Sequence, residues 1–130
     1  MVKPEISNGL PPDEIIRRIE KALKHGGDTH TWDDVRQGLI TGQFQIHWND
    51  GGVAITEIQV FPQRRNLHCF VVAGEMVSVL ALQKNMVEFA LAQECGSLSA
   101  IGRFGWERVL PKQGWKKMHT AFSLDLEGIA

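Results

Sequence analysis

Tyrosine is absent from the 130 residues of this chain, so no phenol is on hand to act as an acid. Cysteine is scarce. Cys69 and Cys95 each sit inside an apolar stretch, at a separation that fits no metal or redox motif, and both read as buried thiols in a reducing compartment. No window approaches the ~20 apolar residues of a membrane span. The start MVKPEISNGLPPDE lacks the basic, apolar, small-residue order of a secretory signal. These absences point to a cytoplasmic protein without a membrane partner. A strong charge of either sign is missing too: the formal net charge is -1, which disfavours a basic nucleic-acid-binding face and leaves only local pairs such as Arg64 with Arg65 or Lys116 with Lys117. There is no low-complexity tract and no internal repeat.

What is present is ordinary for a globular domain: 43% hydrophobic and 22% charged residues, enough for one core without staples. Residues 1–12, with Pro4, Ser7, Asn8 and Gly9, read as an irregular arm, and residues 13–130 as one domain. Pro11, Pro12 and Asp13 open a first helix, whose stripe is Ile15, Ile16, Ile19, Ala22 and Leu23; His25, Gly26 and Gly27 close it. Thr31 caps a second helix that carries Val35, Leu39 and Ile40 and stops at Gly42. Three alternating stretches follow, QFQIHW, VAITEIQVF and LHCFVVA, joined by turns at Asn49–Gly52 and Pro62–Asn66. The middle one is apolar on both faces, as a central strand should be.

From Glu75 to Cys95 the pattern predicts one long helix, apolar on more than half its circumference and therefore buried. A short strand at Leu98, Ala100 and Ile101 then lies parallel to the preceding strand, because a strand, helix, strand unit of this length crosses over. The run IGRFGWERVLPKQGW turns sharply at Gly102 and Gly105 and sends Trp106, Val109 and Leu110 inward from a short helix, with Glu107 and Arg108 outward. Trp115 opens a final alternating strand, WKKMHTAFSLDL, whose Met118 and Phe122 form either a core face or an edge for a symmetric dimer. Large aromatics fill cores, so three of the four tryptophans are expected inside, with Trp32 the one placed at the surface.

The chemistry-bearing residues are dispersed. His25 and His30 lie in a glycine-rich turn, and His47, His68 and His119 stand singly on strands, so no metal site is expected. Ser78, Ser97 and Ser99 lack the Gly-x-Ser-x-Gly context of a hydrolase elbow. On the central strands, Glu57, His68 and His47 are candidates for a general base.

The order of elements resembles the core of the GNAT superfamily of acyltransferases over roughly residues 13–126. Three stretches, WDDVRQGLITGQFQIHW, TEIQVFPQRRNLHCFVVAGE and IGRFGWERVLPKQGW, are similar to small GNAT-like proteins encoded by bacteriophages and prophages. Gly102, Arg103, Gly105 and Trp106 match that group's Gly-Arg-x-Gly-Trp run, and Gly114 with Trp115 match its glycine-aromatic start of the last strand. The resemblance implies an α/β (α+β) fold: a mixed, mostly antiparallel sheet with a long central helix, helices on both faces, and a splay between two strands that admits acetyl-CoA.

It also implies a pyrophosphate cradle leading into the long helix, at Ala73, Gly74, Glu75 and Met76, and a tyrosine acid four residues before the glycine-aromatic pair. This chain keeps one glycine of the cradle, places the Glu75 carboxylate where the diphosphate would lie, and has Leu110 at the tyrosine position. Glu75 suits the free N–H groups of a helix start instead. The resulting expectation is a GNAT-fold protein without a working acetyl-CoA site, serving binding, assembly or the virion, with a phage, host or self protein as partner. The alternatives are an acetyl-CoA-dependent N-acyltransferase with Glu57 or His68 as base, and a small host-directed inhibitor acting by surface contact.

Overall fold

The computed structural model describes residues 10–102 and 104–128; the expected N-terminal arm lies outside them except for its last three residues. Helix α1 (Asp13–His25) has Asp13 and Glu14 in its first turn and Lys24 and His25 in its last, each sign facing the favourable end of the helix dipole. Helix α2 (Trp32–Thr41) starts on a capping box. Thr31 Oγ1 accepts from Asp34 N at 3.2 Å, and Asp34 Oδ2 accepts in return from Thr31 N at 2.9 Å. The backbone and hydroxyl donors of Thr31 hold the Asp34 carboxyl below its usual range. Thr31→Ala is therefore expected to lower stability by about 1 kcal/mol, read as a reduced urea midpoint at unchanged slope.

Strands β1 (Phe44–Trp48), β2 (Gly52–Val60), β3 (Arg65–Gly74) and β4 (Ser97–Ala100) form one sheet in the order β1-β2-β3-β4. The first three meander antiparallel, and β4 pairs with β3 in parallel, from Asn66 opposite Ser97 to Cys69 opposite Ala100. The α/β class, the two-sided β2 and the crossover are as the sequence indicates. Val53, Ala54, Ile55 and Thr56 are all buried in succession.

One face of the sheet carries α1 and α2, over a core of Ile15, Ile19, Leu23, Val35, Leu39, Phe44, Ile46 and Ile55. The other carries α3 (Met76–Ala81) and α4 (Gln83–Ala92), over Ala54, Leu67, Cys69, Leu82, Met86 and Ala90. Each fully buried aliphatic side chain contributes about 2 kcal/mol, so both layers hold the sheet. Gly38 lets α2 come close. A side chain there would run into the Phe44 ring.

Three expectations need correction. The long helix is two helices meeting at Leu82, where the turn tightens: Leu82 N donates to Val79 O at 3.0 Å, and Met86 N resumes on Leu82 O at 3.1 Å. Nor is it buried all round, since its inward stripe is Val79, Leu82, Met86 and Ala90, while Val77 and Leu91 face water. The final strand does not form: beyond Trp115 the described chain has neither helix nor strand, because alternation makes a strand only when a partner edge is taken up. Finally, the expected division of three tryptophans inside and Trp32 at the surface is not seen: Trp32, Trp48, Trp106 and Trp115 are all partly buried, Trp32 against the α1/α2 core. The short helix near Trp106 is realised as two 3-10 turns, Phe104–Arg108 and Leu110–Gln113, with Trp106, Val109 and Leu110 half-buried and Glu107 and Arg108 exposed.

Candidate functional site

Strands β3 and β4 part company at one end. Their ladder finishes at Cys69 opposite Ala100, with Ile101 N still 3.4 Å from Cys69 O, while β3 runs on to Gly74. The opening is walled by Cys69 and Val72 of β3 and by Val79, Leu80 and Met86 of α3 and α4. Three side chains close it: Trp106, Leu110 and Trp115. What remains is an apolar cavity of about 40 Å³. Small-molecule sites run to ~300–1,000 Å³, so this space is far too small for a pantetheine arm. Trp115 is fixed in place, its Nε1 donating to Gln83 Oε1 at 2.9 Å and its backbone N to Leu110 O at 3.1 Å. Gly102 leaves room for the Trp106 indole, which a side chain there would meet at 3.2 Å.

At the far end of β3 lies the turn of Ala73, Gly74, Glu75 and Met76. Gly74 has φ +124°, and a Cβ on it would fall 2.2 Å from Gly51 O and 2.6 Å from Gly52 Cα. The turn is thus seated directly on the β1–β2 hairpin. Glu75 N donates to Gly51 O at 2.9 Å, Arg18 Nη1 reaches the same oxygen at 3.2 Å, and Asn49 Nδ2 donates to Ser78 O at 2.9 Å. An amide that a diphosphate would need is already committed. The Glu75 side chain, expected to cap α3, makes no cap hydrogen bond, because its backbone rather than its carboxylate engages the neighbouring turn. Ala73 is half-buried against the α1/α2 core; Gly74, Glu75 and Met76 are exposed.

Glu57 and His68 are brought together, directly opposite each other across β2 and β3. His68 belongs to a row the sequence reading missed. Its Nδ1 shares a hydrogen bond of 2.9 Å with Ser99 Oγ, which accepts in addition from Asn66 Nδ2 at 2.8 Å. Asn66 Nδ2 also reaches Gln59 Oε1 at 3.0 Å, and Ser97 Oγ donates to Asn66 Oδ1 at 2.8 Å. Burial lowers the His68 pKa, partly opposed by the Glu57 charge. The signal was available: Asn66 with His68 and Ser97 with Ser99 are spaced by two, so each pair shares a face.

His47, the third candidate, is on the opposite face and fully buried. Thr56 Oγ1 donates to Gln45 Oε1 at 3.0 Å, so it accepts from His47 Nε2 at 3.1 Å. No partner is found for His47 Nδ1. Burial pushes its pKa down to about 4, and it has no access to a substrate. Cys69 and Cys95 are free buried thiols, and burial pushes Cys69 up to about 12. Among the described residues, no three His, Cys, Asp or Glu side chains gather as metal ligands, and no helix is long and apolar enough to cross a membrane.

The arrangement has counterparts in solved structures. A probable acetyltransferase superposes with a TM-score of 0.73 at 9% identity, covering 96% of this chain and 97% of that one. The chain has the GNAT acetyltransferase fold. A predicted acetyltransferase from Clostridium acetobutylicum, solved with acetyl-CoA, matches this GNAT fold at TM-score 0.68 and 12% identity, covering 98% of this chain and 97% of that one. Glucosamine-6-phosphate N-acetyltransferase from Arabidopsis thaliana matches at TM-score 0.67 and 9% identity, covering 96% of this chain and 98% of that one. No protein-family model matches the sequence, and no curated protein matches it. At these identities the likeness to GNAT enzymes is one of fold.

Proposed function

We propose that this chain is a non-catalytic GNAT-fold protein of phage origin, working by contact with another protein in assembly or in the virion, and located in the host cytoplasm before packaging. The observation that carries the non-catalytic part is the closed β3–β4 gap: a cavity of about 40 Å³ behind Trp106, Leu110 and Trp115. The committed Glu75 amide and the missing tyrosine support it from two further directions. The phage origin is supported by the motif resemblance alone.

The test is direct. Incubated with acetyl-CoA and a panel of primary amines, the protein should release no thiol above the blank. Time-dependent CoA release on any one amine would end the non-catalytic reading. Mass spectrometry of purified particles tests the virion version, which their consistent lack of this chain would remove.

A second reading, an acetyl-CoA-dependent N-acyltransferase, is favoured by the neighbour solved with acetyl-CoA and by His68, a half-buried base candidate beside Glu57 and Ser99. It requires the two indoles to swing out of the gap when coenzyme arrives.

A further inference from the structure

Helix α2 gives Val35 and Leu39 to the core, and on the flank beside them Asp34, Gln37, Gly38 and Thr41 follow at i, i+3, i+4 and i+7. A glycine inside a helix costs about 1 kcal/mol against alanine, and here it removes the wall that would stand over the Phe44 ring. This flank faces the start of β1 and the turn at Thr29 and His30. Between them lies an open depression of about 340 Å³. That is within the ~300–1,000 Å³ of small-molecule sites, as the gap behind Trp106 is not. The two are separate: no residue lines both, and Phe44 on β1 is parted from β3 by the whole of β2.

The floor of the depression is apolar and its rim is polar. Gly38 and Phe44 make the floor, with the His30 ring edge-on to Phe44 at a centroid distance of 5.9 Å. On the rim, Thr31 N and Thr31 Oγ1 donate to Asp34 Oδ2 at 2.9 and 3.0 Å, which leaves Asp34 Oδ1 without a partner among the described residues. The Gln37 and Gln43 carboxamides lie exposed beside it. Neither lysine nor arginine lines the site, so a phosphate or sulfate would meet the Asp34 charge with no counter-charge. A wholly apolar ligand would strip water from a carboxylate and two carboxamides without replacing its hydrogen bonds. What suits the lining is a ligand with a C–H face and several hydroxyls at its edge, since a hydroxyl donates to a carboxylate and both donates to and accepts from a carboxamide.

We propose that this depression binds an uncharged sugar ring, its C–H face on Phe44 and Gly38 and its hydroxyls on Asp34, Gln37 and Gln43. The site goes beyond the function proposed above and stands whether or not the coenzyme gap is closed. Its open rim leaves part of the ring in water, so affinity is modest, with a Kd of about 1 mM.

Amide NMR on the full chain, titrated with glucose, mannose, galactose and N-acetylglucosamine, decides it. At least one of the four should shift the amides of residues 29–44 and leave the indole N–H signals of Trp106 and Trp115 in place. The 6-phosphate of the bound sugar should bind roughly 10-fold more weakly, its charge facing Asp34. Gln37→Ala and Gln43→Ala, both at exposed positions, should each raise the Kd roughly 5-fold with the rest of the spectrum unchanged. A linear oligomer of the bound sugar separates two sources of the ring. Tighter binding than the monomer assigns a glycan chain and equal binding a free sugar, and either upholds the site. Four sugars that shift nothing at ~50 mM overturn the proposal. So do shifts outside residues 29–44, a phosphate ester that binds as well as its parent sugar, or a Kd that neither substitution changes.

Discussion

Gly74→Ala is expected to lose about 3 kcal/mol of folding free energy, seen as a large fall in urea midpoint. Two effects add. Gly74 sits at φ +124°, where a side chain is strained by about 1 kcal/mol or more. The new Cβ would also lie 2.2 Å from Gly51 O and 2.6 Å from Gly52 Cα, both backbone atoms that cannot rotate aside. Forcing them apart separates β3 from the β1–β2 hairpin and strains the bond from Glu75 N to Gly51 O, which overpacking costs of about 1–3 kcal/mol describe. Gly27→Ala is the control: its φ is +95°, but nothing lies within 4 Å, so only the backbone part, about 1 kcal/mol, should appear. Equal losses at the two sites would mean that the turn before α3 is not seated on the hairpin.

Acid should weaken the protein through His47, by about 3 kcal/mol between pH 7 and pH 4. The ring is fully buried, Phe89 lies edge-on with centroids 6.0 Å apart, and Nδ1 has no partner to share a second proton. Its pKa falls from 6.5 to about 4 by desolvation. The unfolded chain therefore binds the proton first, at about 6.5, while the folded chain resists it until about 4. Stability from the neutral ring is complete above 6.5 and is lost as pH drops through that window, at about 1.4 kcal/mol per pKa unit. His68 is shifted in the same direction, so part of the slope is its own. Urea titrations from pH 7 to pH 4 check this, and His47→Gln should flatten the acid side by about one proton. A slope that His47→Gln leaves unchanged would assign acid lability to other groups.

Much of the fold is legible in the sequence because its signals are local. Thr31 with Asp34 marks the start of α2, Asn49 to Gly52 the hairpin, and the apolar run through Val53 and Ile55 a strand covered on both sides. What failed depends on partners distant in the chain. The alternation from Lys116 to Leu126 has the period of a strand, but period cannot supply an edge to pair with. The break at Leu82 leaves no mark either, since leucine is a good helix former and the tightening serves the packing of α3 and α4 on the sheet. At the candidate site, the position of Gly74 and Glu75 was readable, whereas the commitment of Glu75 N to Gly51 O arises from a turn some two dozen residues upstream. Glu57 and His68 were found singly; their pairing, and the Ser99 to Asn66 row beside them, needed the register of three strands.

Calorimetric titration of the purified chain with acetyl-CoA tests the central claim most directly, because it asks whether the β3–β4 opening takes a pantetheine at all. Trp106, Leu110 and Trp115 in the gap predict no binding heat up to millimolar coenzyme. A one-to-one isotherm with a micromolar Kd, accompanied by a change in tryptophan fluorescence, would contradict it and show that the indoles are a door.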